Sequence, residues 1–318
     1  MFRLDGRHVG DPWFHIEDGR AHMWFLTQPT SLPREERGWH WDVGYATSAD
    51  LESWEYRGIV LERGWGDAWD SQKLATGSVI ERDGRYWMAY TGHRARWLGV
   101  QRAGMAWSDD LATWHKLDEN PTTEAARPWY DLGVRTEDKA HCSWRDPFLI
   151  DDGEWMYQLV CAVSAQGDRD TAGVVGRARS RDMRNWEVVS PLDAERVARR
   201  MECPNMHHID DRWYLVYSSH PGMVSDMMRA RFPDREFGPA AYSMVGEDMW
   251  GPYRLHGLGA IQPDDAPVRI YAPQLVRWKG AWFAMGFLLD PETTYGEAIA
   301  NPVRVRATAE GIKEVVGA

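Results

Sequence analysis

A polar hairpin turn returns at near-equal intervals through this chain, with its second residue at Gly19, Gly84, Gly153, Asp211 and Gly280 and steps of 65, 69, 58 and 69 residues. Apolar runs of strand length flank each turn, such as Ser78-Val79-Ile80 before and Tyr86-Trp87-Met88-Ala89-Tyr90 after one of them. Asp-Gly between such runs is a strong hairpin signal. A second pattern, Ser-x-x-Leu/Met-x-x-Trp, recurs at residues 48–54, 108–114 and 180–186 and marks the turn between a third and a fourth strand. Five copies of a four-stranded unit averaging about 64 residues fill the 318 residues. Radial repetition of such units protects sheet edges. The spacing therefore predicts an all-β fold: a single five-bladed β-propeller over residues 1–318, with four antiparallel strands per blade. A β-sandwich would need the five intervals to agree by coincidence. Blade four lacks the Ser-to-Trp pattern, and residues 247–253 are expected in its place.

Nineteen Trp, twelve Tyr and eight Phe fit strands and aromatic-lined clefts better than a helical bundle. A net charge of −11 with no basic cluster excludes a nucleic-acid backbone as partner. No run approaches the roughly 20 apolar residues of a membrane span, so no membrane partner is expected either. Cys142, Cys161 and Cys203 form neither a disulfide framework nor a zinc pattern. The opening residues lack an apolar stretch, so no removable leader is expected. These features predict a cytoplasmic protein with no cofactor and no metal, while the oligomeric state stays open.

Three carboxylates precede the early strands of the repeat: Asp11 in Val-Gly-Asp-Pro, Asp146 in Trp-Arg-Asp-Pro and Glu202 in Met-Glu-Cys-Pro. Pro12, Pro147, Pro204 and Pro273 each suit the first residue of a strand, where a missing N–H is tolerated. The acids are then expected at one register, at the entry of the strand that lines the central channel of blades one, three and four. Any one alone could cap a turn. Three together raise one another's pKa, and such clusters bind cations or perform acid/base work.

Across most of its length the chain resembles glycoside hydrolase family 32, the β-fructofuranosidase and invertase group. The family's Asn-Asp-Pro-Asn-Gly is similar to Gly10-Asp11-Pro12-Trp13-Phe14, and its Gly-His-Ala-x-Ser-x-Asp-Leu-x-x-Trp to residues 44–54. Its Ser-Gly-Ser-Ala resembles Thr76-Gly77-Ser78-Val79, and Tyr90-Thr91-Gly92 and Asn120-Pro121 also match. Arg145-Asp146-Pro147 and Glu202-Cys203-Pro204 stand intact. The resemblance implies a retaining hydrolase in which Asp11 is the nucleophile, Glu202 the acid/base and Asp146 the carboxylate that grips sugar hydroxyls. A glycosidic bond breaks through an oxocarbenium-like state, so one face needs an anion and the other a proton donor.

The sequence departs from the family at Gly10, Trp13 and Leu26, where two Asn and a Gln are expected, and at Arg269, where an acid is expected. Family members also usually carry a C-terminal β-sandwich, and none is expected within this chain. Catalytic groups are matched more fully than the sugar pocket. Candidate substrate-binding residues are Arg145, Trp13, Trp39, Trp41, Asp70, Thr76, Tyr271 and Phe287, with Arg269 a candidate reader of an anionic group. His207 and His208 are adjacent on a strand and point to opposite faces, so they do not chelate together. Cys203 reads as a packing residue.

The leading expectation is hydrolysis of a small fructoside or related furanoside. Alternatives are an inverting furanosidase or xylosidase like family 43, to which Tyr271-Ala272-Pro273 bears some likeness, a non-hydrolytic sugar-binding protein, and a transglycosylating relative.

Overall fold

The computed structural model describes residues 1–94, 99–135, 140–289 and 296–315. Five sheets follow one another along the chain, antiparallel except where the added strand of the second pairs parallel with its neighbour. Blade one comprises β1 (Arg7–Glu17), β2 (Arg20–Pro29), β3 (Asp42–Ser48) and β4 (Trp54–Leu61). Blade two comprises β5 (Lys73–Arg82), β6 (Arg85–His93), β7 (Gly99–Ser108) and β8 (His115–Lys116), extended by β9 (Val134–Arg135) and β10 (Ala140–Cys142). Blade three is β11 (Trp144–Asp151), β12 (Met156–Val163), β13 (Gly173–Ser180) and β14 (Glu187–Val189). Blade four is β15 (Glu202–Ile209), β16 (Arg212–Ser219) and β17 (Ala240–Gly246), with the short helix α1 (Asp226–Arg231) between the last two. Blade five holds β18 (Tyr271–Trp278), β19 (Ala281–Leu289), β20 (Gly296–Ile299), β21 (Val303–Thr308) and β22 (Gly311–Glu314). The five-bladed propeller expected from the repeat is the observed fold.

The turn chemistry explains the hairpins. Asp18-Gly19, Asp83-Gly84, Asp210-Asp211 and Lys279-Gly280 all adopt positive φ at both residues, as a two-residue type I′ turn requires. The blade-three turn is longer, since Asp151 pairs with Met156. The Ser-to-Trp pattern is one loop built three times. Ser48, Ser108 and Ser180 accept from the N–H two residues on, and Leu51, Leu111 and Met183 turn left-handed at φ 64 to 68°. Trp54, Trp114 and Trp186 then donate their indole N–H to those same residues' carbonyls at 2.9–3.0 Å. Blade four has no such loop. Its outer edge is completed by single bridges, Val245 to Arg254 and Tyr242 to Ala260, with Tyr253 fully buried beneath.

The cores lie between blades. Trp13, Trp24, Leu74, Tyr90 and Trp114 join blades one and two; Leu159, Val175, Met206, Leu215 and Tyr242 join three and four. Phe2 pairs with Ile299 through two hydrogen bonds, at 2.9 and 3.0 Å, which ties the chain's start to blade five and closes the ring. Among the described residues no helix is long and apolar enough to cross a membrane.

Candidate active site

Each blade's innermost strand carries a one-residue bulge at the same level. In β1, Gly10 pairs with Leu26 and Trp13 with Trp24, so Asp11 and Pro12 together oppose Phe25. The same insertion falls between Ala75 and Gly77, Arg145 and Phe148, Glu202 and Asn205, and Tyr271 and Gln274. Bulges re-aim side chains and occur beside active sites. Asp11, Asp146, Cys203 and Ala272 adopt φ of 40, 58, 48 and 48° there. Asp tolerates that region better than most residues.

This geometry corrects two expectations. The prolines sit in bulges inside strands rather than opening them; a bulge is the other place where a sheet tolerates proline. The three acids do not share one register. Asp11, Thr76, Asp146, Cys203 and Ala272 are equivalent, whereas Glu202 stands one residue earlier, level with Gly10, Ala75, Arg145 and Tyr271.

The offset still brings the acids together, because the bulge directs both positions to the axis. One cavity of about 490 Å³ is lined by Asp11, Asp146, Glu202, Arg145 and Tyr271, among others. Thr76 Oγ1 donates to Asp11 Oδ2 at 2.7 Å. Arg145 donates to Glu202 Oε1 at 2.7 Å and lies 3.4 Å from Asp146 Oδ2. Glu202 Oε2 accepts from the Tyr271 hydroxyl, and the Cys203 N–H donates to Asp146 Oδ2 at 3.1 Å. Asp146 in turn donates its own N–H to Thr91 Oγ1 at 2.8 Å, which bonds the Thr76 carbonyl. Three carboxylates are thus fixed in orientation by neighbours from four blades.

Burial is the main influence on the protonation of Asp11 and Asp146. It raises Asp11 to about 7, with Asp146 and Glu202 adding to the rise while Thr76 and Lys73 oppose it. Asp146 is also raised, chiefly by burial, although Arg145 pulls it down. Burial and then Glu202 push the Tyr271 hydroxyl far above its usual range, so it remains a donor. Lys73 is lowered to about 8 by burial against the pull of Asp11.

The sequence-selected residues divide sharply. Asp11, Asp146, Glu202, Arg145, Tyr271 and Phe287 all line the cavity, and Thr76 orients Asp11 from just behind it. Trp13 does not. It is 0% exposed within the core shared by blades one and two. Asp70 is also buried away from the cavity, in an ion pair with Lys116 at 2.5 Å. Trp41 packs in the blade-one core and borders a smaller hollow beside Asp11, while Trp39 carries the Lys73 ammonium 4.7 Å above its ring. Arg269 is remote: it pairs with Asp264 at 3.2 Å in a separate, roughly 760 Å³ hollow on blade four with Arg235 and Phe237. His207 Nε2 bonds Asn205 Oδ1 at 2.9 Å, and His208 faces the exterior. Cys161 and Cys203 are buried free thiols; the side chain of Cys142 is outside the described set. Among the described residues, no group of three His, Cys, Asp or Glu is placed to hold a metal.

Sequence reasoning missed Lys73, His93, Gln101, His220 and Met223, which also line the cavity. Gln101 accepts from Arg145 at 3.0 Å. Position next to the Tyr-Thr-Gly and Thr-Gly-Ser matches was the available signal for His93 and Lys73.

Comparison with known proteins decides the family. The model of the glycosyl hydrolases family 32 N-terminal domain matches residues 11–277. The chain belongs to this family. Sucrose-6-phosphate hydrolase and raffinose invertase, both of Escherichia coli, are each 26% identical to it over 84% and 83% of its length. This family 32 chain spans about half the length of the curated relatives it matches, 53% in each case. An inulosucrase from Halalkalicoccus jeotgali, solved bound to kestose, has a similar fold with a TM-score of 0.75 at 22% identity, covering 99% of this chain and 88% of that one. Bacillus subtilis levansucrase does so with a TM-score of 0.72 at 13% identity, covering 100% and 89%.

Proposed function

We propose that residues 1–318 are the catalytic domain of a retaining glycoside hydrolase acting on a small fructoside or related furanoside. The observation that carries this reading is the convergence of Asp11 and Glu202, from blades one and four, on one cavity with Asp146 between them. The family 32 match and the relatives named as sucrose-6-phosphate hydrolase and invertase support it.

In this reading Asp11, ionised, attacks the anomeric carbon while Glu202 gives its proton to the departing oxygen, so the glycosidic bond breaks as a glycosyl ester forms. Glu202 then takes a proton from water, and the resulting hydroxide displaces Asp11 with overall retention. Arg145 and Tyr271 position the Glu202 carboxyl, and Thr76 positions Asp11. Asp146 accepts hydrogen bonds from sugar hydroxyls that strengthen as charge develops at the anomeric centre. The two buried free thiols support a reducing, cytoplasmic setting.

The test is a panel of sucrose-type sugars and 4-nitrophenyl furanosides, with the first-formed anomer followed by NMR. Retention with loss of turnover in Asp11→Asn and Glu202→Gln is expected. An inverted product would favour the family 43 mode, saturable binding without cleavage a sugar-binding protein, and transfer to an added alcohol in place of water a transglycosidase.

A further inference from the structure

A second hollow of about 210 Å³ adjoins the main cavity on the Asp11 side, sharing Asp11, Lys73, Ala75 and Phe287 with it. Its remaining walls include Gly10, Leu26, Trp41 and Leu74, while Glu202, Arg145 and Tyr271 do not border it. Two of these walls, Gly10 and Leu26, stand where the family pattern has amides. An attacking carboxylate and a leaving group lie on opposite faces of the sugar. Space reached past Asp11 and away from Glu202 therefore belongs to the glycosyl unit.

Lys73 is the sole cation among the described residues lining that hollow. Its ammonium donates no hydrogen bond to any described residue and joins no salt bridge; the Trp39 ring lies 4.7 Å away, and Asp11 attracts it without direct contact. A half-buried ammonium with no directly bonded anion keeps its donors for a ligand. A neutral sugar substituent would meet mostly apolar walls here, with Asp11 the one side-chain acceptor among the described lining residues. We propose that the furanosyl unit bound beside Asp11 bears an anionic substituent, a carboxylate or a phosphate, and that Lys73 is the residue that recognises it.

This rests on the glycosidase reading of the main cavity but is tested without turnover. Calorimetric titration of methyl β-fructofuranoside, and of derivatives carrying a carboxylate or a phosphate at either primary carbon, is made into the Glu202→Gln protein. At least one anionic ligand should bind ten times more tightly than the neutral parent. The carboxylate and phosphate arms identify which group is read. In a Lys73→Met, Glu202→Gln double variant that preference should fall below twofold, and Lys73→Arg in the same background should retain most of it. No preference for any anion in the Lys73 protein, or a preference that survives Lys73→Met, overturns the proposal. Absence of hydrolysis in the wild type would instead count against the glycosidase reading and leave the binding preference interpretable.

Discussion

Replacing Thr76 by valine keeps the side chain's shape and removes the hydroxyl that donates to Asp11 Oδ2 at 2.7 Å. That bond favours the ionised carboxylate, against burial and Asp146, which together hold Asp11 at about 7. Hydrogen bonds to charged groups contribute about 1.5–3 kcal/mol, and one pKa unit corresponds to about 1.4 kcal/mol. The protonated acid keeps part of the interaction, so the lower end applies and Asp11 should rise by about one unit. As the nucleophile must be ionised, the acid limb of kcat/KM in the wild type should climb tenfold per pH unit as pH rises toward about 7. In Thr76→Val the same climb should end about one pH unit higher, with roughly a tenfold deficit at pH 6 that shrinks at pH 9. The assay is a kcat/KM profile from pH 5 to 10, which reports groups of the free enzyme. A wild-type acid limb in the ordinary carboxylate range near 4, or superimposable limbs in the two proteins, refutes the reasoning. An equal loss at every pH would show that Thr76 touches the sugar rather than tuning Asp11.

Asp11→Asn and Glu202→Gln should each lower turnover at least a thousandfold with circular dichroism unchanged, on the logic of groups that act as a unit; near-full activity in either removes its assigned role. Stability should move the other way in Asp11→Asn. The folded-state value of about 7 lies above the ordinary 3.8, so the folded protein binds this proton more tightly than the unfolded chain. The resulting penalty is absent below about pH 4, grows to pH 7 and reaches up to about 4 kcal/mol above it. Thermal melts should therefore show the variant more stable than wild type at pH 8 and equal to it at pH 4. Trp13→Ala should destabilise by about 3–5 kcal/mol in urea titrations, as a large core truncation does; a loss under 1 kcal/mol would contradict its placement. Gly77→Ala should also destabilise strongly, because a methyl there would sit 2.2 Å from the Ala89 carbonyl oxygen.

Turn spacing made the propeller legible, because Asp18-Gly19 and Asp83-Gly84 need a backbone conformation few other pairs adopt. The Ser48, Leu51 and Trp54 pattern was equally legible, since each member has a hydrogen bond or a burial that no neighbour supplies. What the sequence hid was the bulge. One inserted residue shifts the alternation of faces along a strand, so Trp13, a candidate through its place in the Asp11-Pro12 motif, pairs with Trp24 in the core instead. The same insertion concealed that Glu202 is level with Arg145 and Tyr271, not with Asp146. Asp70 and Arg269 misled for a different reason. A charged residue near a strand entry looks alike in sequence whether it faces the axis or has found a counterion elsewhere, as these did in Lys116 and Asp264.

The five kinks are each closed within a single sheet, yet the side chains they turn inward also bond from sheet to sheet, Thr76 to Asp11 and both Arg145 and Tyr271 to Glu202. The chemical identity of the axis is thereby tied to the cohesion of the ring. An inward side chain that bonds across sheets is not exchanged alone, whereas a position that makes no such bond, as at Gly10, can trade an amide for a glycine and reshape the axis while the architecture stays unaltered.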